Sequence, residues 1–216
     1  MTLPRILSIA GSDSGGGAGI QADIKTITML GGHAMTAITA ITAQNTLGVS
    51  QIMPVPADVV LAQIDAVISD IGVDAVKIGM IGSAEIAGAI ANFFSPSPLP
   101  PPSGGRALPV VFDPVMIATS GAILADAGTV AAFERLMAIA TLITPNAPEL
   151  AALTGLAVES ESQLELAARA LAERHGIAVL AKSGHLPGKA LTDVLIDRNG
   201  AVTRWTSERI ETRHSH

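Results

Sequence analysis

The sequence predicts an α/β fold, a doubly wound and mainly parallel sheet with helices on both faces and a late β-hairpin. Three observations carry this. Short β-branched runs alternate with segments of helical period. A glycine-rich loop joins the first strand-like run to a helical one. Polar residues recur at the carboxyl ends of the strand-like runs, where open α/β sheets hold their ligands.

The elements follow in order. Ile6–Ala10 reads as a strand and runs through Gly11–Asp23 into a helix over Ile24–Leu30, with Asp23 in its first turn. Ala34–Ala43, rich in Thr and Ile, reads as the second strand, ending at Gln44-Asn45. Val60, Ile64, Val67, Ile68 and Ile71 recur at helical spacing, with Gly72 at the C-terminal cap. Ala75–Met80 is a short strand, and Ser83 can cap a helix to about Phe94. The Pro-rich stretch Ser95–Gly105 reads as an exposed, semi-rigid loop. Val110–Asp113 is a strand halted by Pro114, and Asp126 caps a helix to about Ala138. Thr141–Thr144 is the next strand, followed by a helix containing Glu149 and Leu150. Glu165–His175 is helical and Ala178–Ala181 a strand. Asn199-Gly200, between Val194–Ile196 and Ala201-Val202, signals a hairpin.

Composition narrows the function classes. The chain has 216 residues, most simply one domain, and 49% of them are hydrophobic, enough for a large core. Net charge is -6 and only five residues are aromatic, so neither a basic footprint nor a stacking platform for nucleic acid is present. No apolar run has the length of a membrane span, and no signal peptide is evident, so no membrane association and a cytoplasmic location are expected. Cysteine is absent, which excludes disulfides and thiolate metal sites from these residues.

The glycine loop invites a phosphate-binding reading that its spelling opposes. Five of the nine residues Gly11–Gly19 are glycine. A Walker A loop needs Lys and Ser/Thr after its second glycine; Gly17-Ala18 stand there instead. A strict dinucleotide frame from Gly15 and Gly17 ends on Ile20, and Gly17, Gly19 and Ala22 fit only the looser form. The loop therefore reads as a small polar site or a tight turn.

The remaining polar residues gain weight jointly. Gln44, Lys77–Met80, Asp113, Asn146 and Lys182 all fall at strand ends. Singly, each has a plain structural reading. Asp23 suits a helix dipole, Gln44-Asn45 suit a turn, and Asn146 with Glu149 spells a capping box. Met29, Met35 and Met137 are expected to pack, with Met80 a possible exception.

Together these segments resemble the ribokinase-like superfamily, and most closely its hydroxymethylpyrimidine/phosphomethylpyrimidine kinases of thiamine biosynthesis. Gly11–Asp23 reproduces that family's opening nearly letter for letter. Thr42–Thr46, Lys77–Gly82, Asp113–Met116 and Thr144–Glu149 match its further markers, the last with the superfamily's Asn-x-x-Glu. The resemblance implies ATP-dependent phosphorylation of 4-amino-5-hydroxymethyl-2-methylpyrimidine and of its monophosphate. It implies that Gly11, Ala18, Gly19, Asp23, Gln44 and Met80 line the substrate pocket. Gln44 would read the pyrimidine edge, Met80 would pack on the ring, and Asp23 would lie near the hydroxymethyl group. Asn146 and Lys182 would serve the ATP phosphates. Glu149, with Asn146, would orient Mg²⁺ through waters, and Asp113 would add charge near it. A homodimer is implied as well.

One departure is small: Lys182-Ser183-Gly184-His185 stands where the family usually has Lys-Gly-Gly-His. Another is larger. Thr212–His216 resembles the approach to the family's Gly-Thr-Gly-Cys motif, whose helix N-terminus forms an anion hole and whose Cys is the catalytic base. That motif would follow His216, so the sequence reads as one domain lacking its C-terminal anion-hole and adenine-site segment. Weak pyrimidine binding and very slow transfer are expected of these residues alone. The alternatives are a pyridoxal-type kinase of the same superfamily and a non-catalytic pyrimidine-binding protein. A nicotinamide oxidoreductase is disfavoured because Gln44-Asn45 stand where it needs an acid.

Overall fold

Residues 3–95, 108–117 and 124–210 are described by a computed structural model. The described residues group into two compact units, one holding 3–95, 108–110, 115–117 and 124–139, the other 111–114 and 140–210. Most of the Pro-rich stretch and Thr212–His216 lie outside the described residues.

In the first unit, β1 (Arg5–Ala10) pairs in parallel with β2 (His33–Ile38) on one side and with β5 (Ala75–Ile78) on the other. Leu7, Ile9, Ala37 and Ile78 are fully buried, the burial that parallel strands covered by helices require. Helix α1 (Gly19–Met29) packs on β1 and β2, and α2 (Ala57–Asp70) on β2. Val60 and Ile64 of α2 are fully buried, and Gly72 follows its end at φ +78°. Helix α3 (Ala84–Phe94) packs against α4 (Ala127–Met137). The expected caps form: Ser83 accepts from the Ile86 N–H, and Asp126 from the Thr129 N–H.

Three expectations are corrected here. The run Ala34–Ala43 is not one strand. It breaks at buried Thr39, whose N–H donates to the Ala10 carbonyl and whose hydroxyl donates to that of Met80, 2.6 Å away. The chain then leaves the sheet as β3 (Ala40–Asn45), which pairs antiparallel with β4 (Gly48–Pro54) as a separate two-stranded sheet. Gln44 therefore lies on a hairpin, not at the end of a parallel strand. Asn45 makes the turn, its side chain accepting from the Leu47 and Gly48 N–H groups. Second, helix α1 begins inside the glycine loop, so Asp23 is its fifth residue and no acid occupies its first turn. Third, Met35 and Met137 are buried, but Met29 is 87% exposed at the helix end.

Arg5 and Asp74 fix the entry of β1 against the end of α2. The guanidinium meets both carboxylate oxygens, at 2.8 and 3.0 Å, and donates to the Ile71 carbonyl. This bidentate hydrogen bonding pulls the Asp74 carboxyl from 3.8 down to about 2. A depressed carboxylate stabilises the fold above its unfolded pKa and loses that contribution as pH falls through its folded one. Asp74→Asn should flatten the acid limb of the melting temperature between about pH 4 and pH 2. An unchanged acid limb in thermal melts would contradict this.

In the second unit, β6 (Val110–Phe112), β7 (Leu142–Ile143) and β8 (Ala178–Ala181) run parallel. Strands β9 (Ala190–Ile196) and β10 (Val202–Glu208) continue antiparallel, and Asn199-Gly200 turns between them as expected. Helices α5 (Ala147–Thr154) and α6 (Glu161–His175) pack on each other, and α6 covers β8 and β9. Phe112, Ile143, Leu150, Leu164, Leu171 and Val179 form the core. No helix among the described residues is long and apolar enough to cross a membrane.

Candidate active site

The candidate residues form two constellations, one in each unit. The first is the glycine loop with its neighbours. It is not an empty phosphate cradle, because the Asp13 carboxylate fills it. One Asp13 oxygen accepts from the Gly15 N–H at 2.8 Å; the other accepts from Gly17 at 2.9 Å and Ala18 at 2.7 Å. The Gly11 carbonyl takes the Ile20 N–H at 3.0 Å. Together they satisfy N–H groups that open α1, where Ala18 offers no side-chain cap.

The loop is stitched to alternate residues of β3. The Ser12 N–H donates to the Ala40 carbonyl, and the Thr42 hydroxyl to the Ser12 carbonyl, both at 2.8 Å. The Ser14 hydroxyl donates to the Gln44 carbonyl and accepts the Gln44 N–H, both at 2.7 Å. The period of two along the strand turns residues 40, 42 and 44 to one side. Gln44 is thereby fixed beside the loop. An open depression of about 530 Å³ is lined there by Ser14, Gln44, Asn45, Val49 and Ser50, among others.

Gly11 and Met80 meet: a Cβ on Gly11 would lie 2.4 Å from the Met80 Cε. The thioether thus lies against the loop backbone, and the Gly11 N–H donates to the Met80 carbonyl at 3.1 Å. Asp23 is already engaged. Its carboxylate accepts from the Ser8 hydroxyl at 2.5 Å and from the Lys77 ammonium at 2.9 and 3.0 Å. Four of the six proposed pocket residues, Gly11, Ala18, Gly19 and Asp23, therefore belong to a loop and helix start whose polar groups are largely paired.

The second constellation centres on Lys182, at the end of β8. Its ammonium is 2.8 Å from an Asp113 oxygen that also accepts the Thr144 hydroxyl at 3.1 Å. Asn146 forms an isolated parallel bridge with Lys182. Asn146 and Glu149 make the capping box in full: the Asn146 side chain accepts the Glu149 N–H, and the Glu149 carboxylate accepts the Asn146 N–H. Glu149 is 4% exposed. After Lys182, Ser183 donates through its N–H and hydroxyl to one Asp193 oxygen. Arg209 donates to the carbonyls of Gly184, Leu186 and Gly188. Burial, then the charges of Lys182 and Arg209, push the His185 imidazole below its ordinary pKa, which favours its neutral form.

Among the described residues no group of three or more His, Cys, Asp or Glu side chains is placed to hold a metal ion. Mg²⁺ does not need such a cage, since it keeps waters and binds through one or two carboxylates plus substrate phosphates. Glu149 holds the Asn146 N–H with one carboxylate oxygen, and Asp113 holds Lys182 and Thr144 with one of its own.

Sequence reasoning missed Asp13 and Ser14 and gave Lys77 no partner. An acid two residues before a run of glycines was the available signal, because Asp side chains accept N–H groups just downstream. Nothing in the spacing links Lys77 to Asp23 or Lys182 to Asp113.

Comparison with known proteins follows the same lines. Residues 13–216 match the family model described as phosphomethylpyrimidine kinase. The hydroxymethylpyrimidine/phosphomethylpyrimidine kinase of Rhizobium meliloti is 48% identical over 97% of this chain and 76% of its own length. Longer relatives are covered less: the chain spans 41% of a bifunctional thiamine biosynthesis protein that is 47% identical. Phosphomethylpyrimidine kinase from Clostridium difficile 630 superposes with a TM-score of 0.82 at 37% identity, covering 95% of this chain and 85% of that one. Pyridoxal kinase from Staphylococcus aureus in complex with pyridoxal gives 0.84 at 30% identity, over all of this chain and 76% of that one. The fold is thus ribokinase-like α/β and the activity that of a phosphotransferase. With its glycine loop closed by an internal carboxylate and clasped to Gln44, and with Lys182 paired to Asp113, the chain belongs to the phosphomethylpyrimidine kinase family.

Proposed function

We propose that this kinase transfers the γ-phosphoryl group of ATP to the hydroxyl of 4-amino-5-hydroxymethyl-2-methylpyrimidine, and then to the phosphate of the product. The observation that carries this reading is the reciprocal Ser14–Gln44 clasp, which fixes the Gln44 backbone beside the glycine loop, while the Gln44 carboxamide oxygen accepts from the Thr42 hydroxyl at 3.4 Å. A carboxamide presents one acceptor and two donors, complementary to an aminopyrimidine edge. Gly11, Ala18 and Gly19 supply a wall without bulk, Met80 supplies an apolar contact for the ring, and Asp23 lies toward the hydroxymethyl group. In the second unit Lys182 meets the phosphates as a point charge, held ready by Asp113. Asn146 and Glu149 would hold Mg²⁺ through waters, and the ion would neutralise charge on the transferring phosphoryl group. The new O–P bond forms as the bond to the leaving ADP oxygen breaks, and the proton of the substrate hydroxyl passes to water. A cytoplasmic homodimer belongs to the same reading; light scattering checks the dimer.

The test is Gln44→Ala and Gln44→Glu, with the hydroxymethylpyrimidine and pyridoxal compared as ligands. Losing one ring-reading hydrogen-bond pair should weaken pyrimidine binding about tenfold to a hundredfold and pyridoxal binding less. Wild-type protein that prefers pyridoxal, or a Gln44→Ala variant within threefold of wild type for the pyrimidine, would overturn the assignment.

A further inference from the structure

We propose that Asp13 is a positioning residue: its carboxylate is the resident anion of the glycine loop, shaping the loop backbone and keeping phosphate out of it. This rests on the reading above that the loop forms one wall of the pyrimidine pocket.

Converging N–H groups and the helix dipole create a concavity that favours negative charge. Here the N–H groups of Gly15, Gly17 and Ala18 all converge on one side chain of the same loop. Asp13 is 2% exposed, so its charge is held by protein groups rather than by water, these three donors among them. The rest of the residue is fixed too. Its N–H donates to the Gln21 carboxamide at 2.7 Å, and its carbonyl accepts the Gly16 N–H at 2.9 Å. Every polar group of Asp13 thus spans the loop from residue 13 to residue 21.

Two consequences follow. The loop has its bound shape before any ligand arrives, so substrate binding does not have to order it. And a phosphate entering the loop would have to displace a buried carboxylate from its donors. A substrate that already carries a phosphate is thereby steered to place it elsewhere. The Lys25 ammonium donates to the Gly16 carbonyl at 2.7 Å and so ties α1 back to the same loop.

The experiment uses Asp13→Ala and Asp13→Asn. Amide hydrogen exchange at Gly15, Gly17 and Ala18 is read by NMR without ligand, and pyrimidine affinity by calorimetry. Losing charge-assisted bonds to three N–H groups should raise exchange at these amides about tenfold or more in both variants, and weaken pyrimidine binding by a similar factor. Formate should restore protection in Asp13→Ala, whose side chain leaves room for it, but not in Asp13→Asn. Inorganic phosphate should protect the same amides in Asp13→Ala and leave wild type unchanged. Exchange within twofold of wild type in either folded variant would overturn the proposal, as would failure of both anions to protect Asp13→Ala. If Asp13→Ala does not fold, exchange in the isosteric Asp13→Asn decides. Wild-type protein that does not bind the pyrimidine counts against the pocket reading alone, since the exchange measurements need no substrate.

Discussion

Replacing Gly19 by Ala is expected to destabilise the protein by about 3 kcal/mol, well beyond the effect of the same change at Gly31. Both glycines have left-handed backbones, φ +55° at Gly19 and +80° at Gly31. A side chain in that region costs roughly 1–2 kcal/mol by itself. The difference is the surroundings. A Cβ on Gly31 would meet nothing within 4 Å, whereas one on Gly19 would lie 2.4 Å from the Gly11 carbonyl oxygen and 3.2 Å from the Asp13 nitrogen. Those are backbone atoms and cannot swing aside. Relieving the overlap means moving Gly11, which carries the Ile20 bond and the Met80 contact, or moving the start of α1. Gly19 therefore serves a close approach of the chain to itself. Urea unfolding of the two variants decides the matter; equal losses would show that the overlap relaxes freely and that only backbone strain counts.

Lys182→Met should lower kcat for transfer from ATP by about 10²–10³-fold, the usual consequence of removing one preorganised charge from a developing transition state. The substitution keeps the length of the side chain and removes its ammonium. Stability should change by no more than about 1 kcal/mol, because the Lys182–Asp113 pair is partly in water and screened. Lys182 is 37% exposed at its side chain and Asp113 23%, and Asp113 retains the Thr144 hydroxyl. Asp113→Asn should do less, since it leaves the ammonium in place and removes only its anchor. Steady-state kinetics with thermal melts of the same preparations separate the cases. A folded Lys182→Met variant retaining kcat within threefold would remove Lys182 from the chemistry. Pyrimidine affinity, by contrast, should change little.

Much of the architecture was legible because it is written locally. Ser83, Asp126 and the Asn146–Glu149 box cap the helices that their spacing announced. Asn199-Gly200 turns the hairpin between β9 and β10, and Gly72 closes α2. Each of these depends on residues a few positions apart, so composition and period suffice. The β3–β4 hairpin was lost because Ala34–Ala43 is uniformly strand-like. Thr39, which ends β2, is recognisable only from its bonds to Ala10, Val55 and Met80.

The sequence alone determined the α/β class, the order of most elements and, through the matching segments Gly11–Asp23, Thr42–Thr46, Lys77–Gly82 and Thr144–Glu149, the family. Tertiary structure decided what each charged residue faces. Lys77 meets Asp23 across 54 positions and Lys182 meets Asp113 across 69. Asp13 accepts three N–H groups of the glycine loop, the furthest from Ala18, five residues on. The physical reason is the range of the forces involved. Caps, turns and periods are fixed by neighbouring dihedrals, whereas a buried carboxylate takes whichever donors the packed backbone brings within 3 Å.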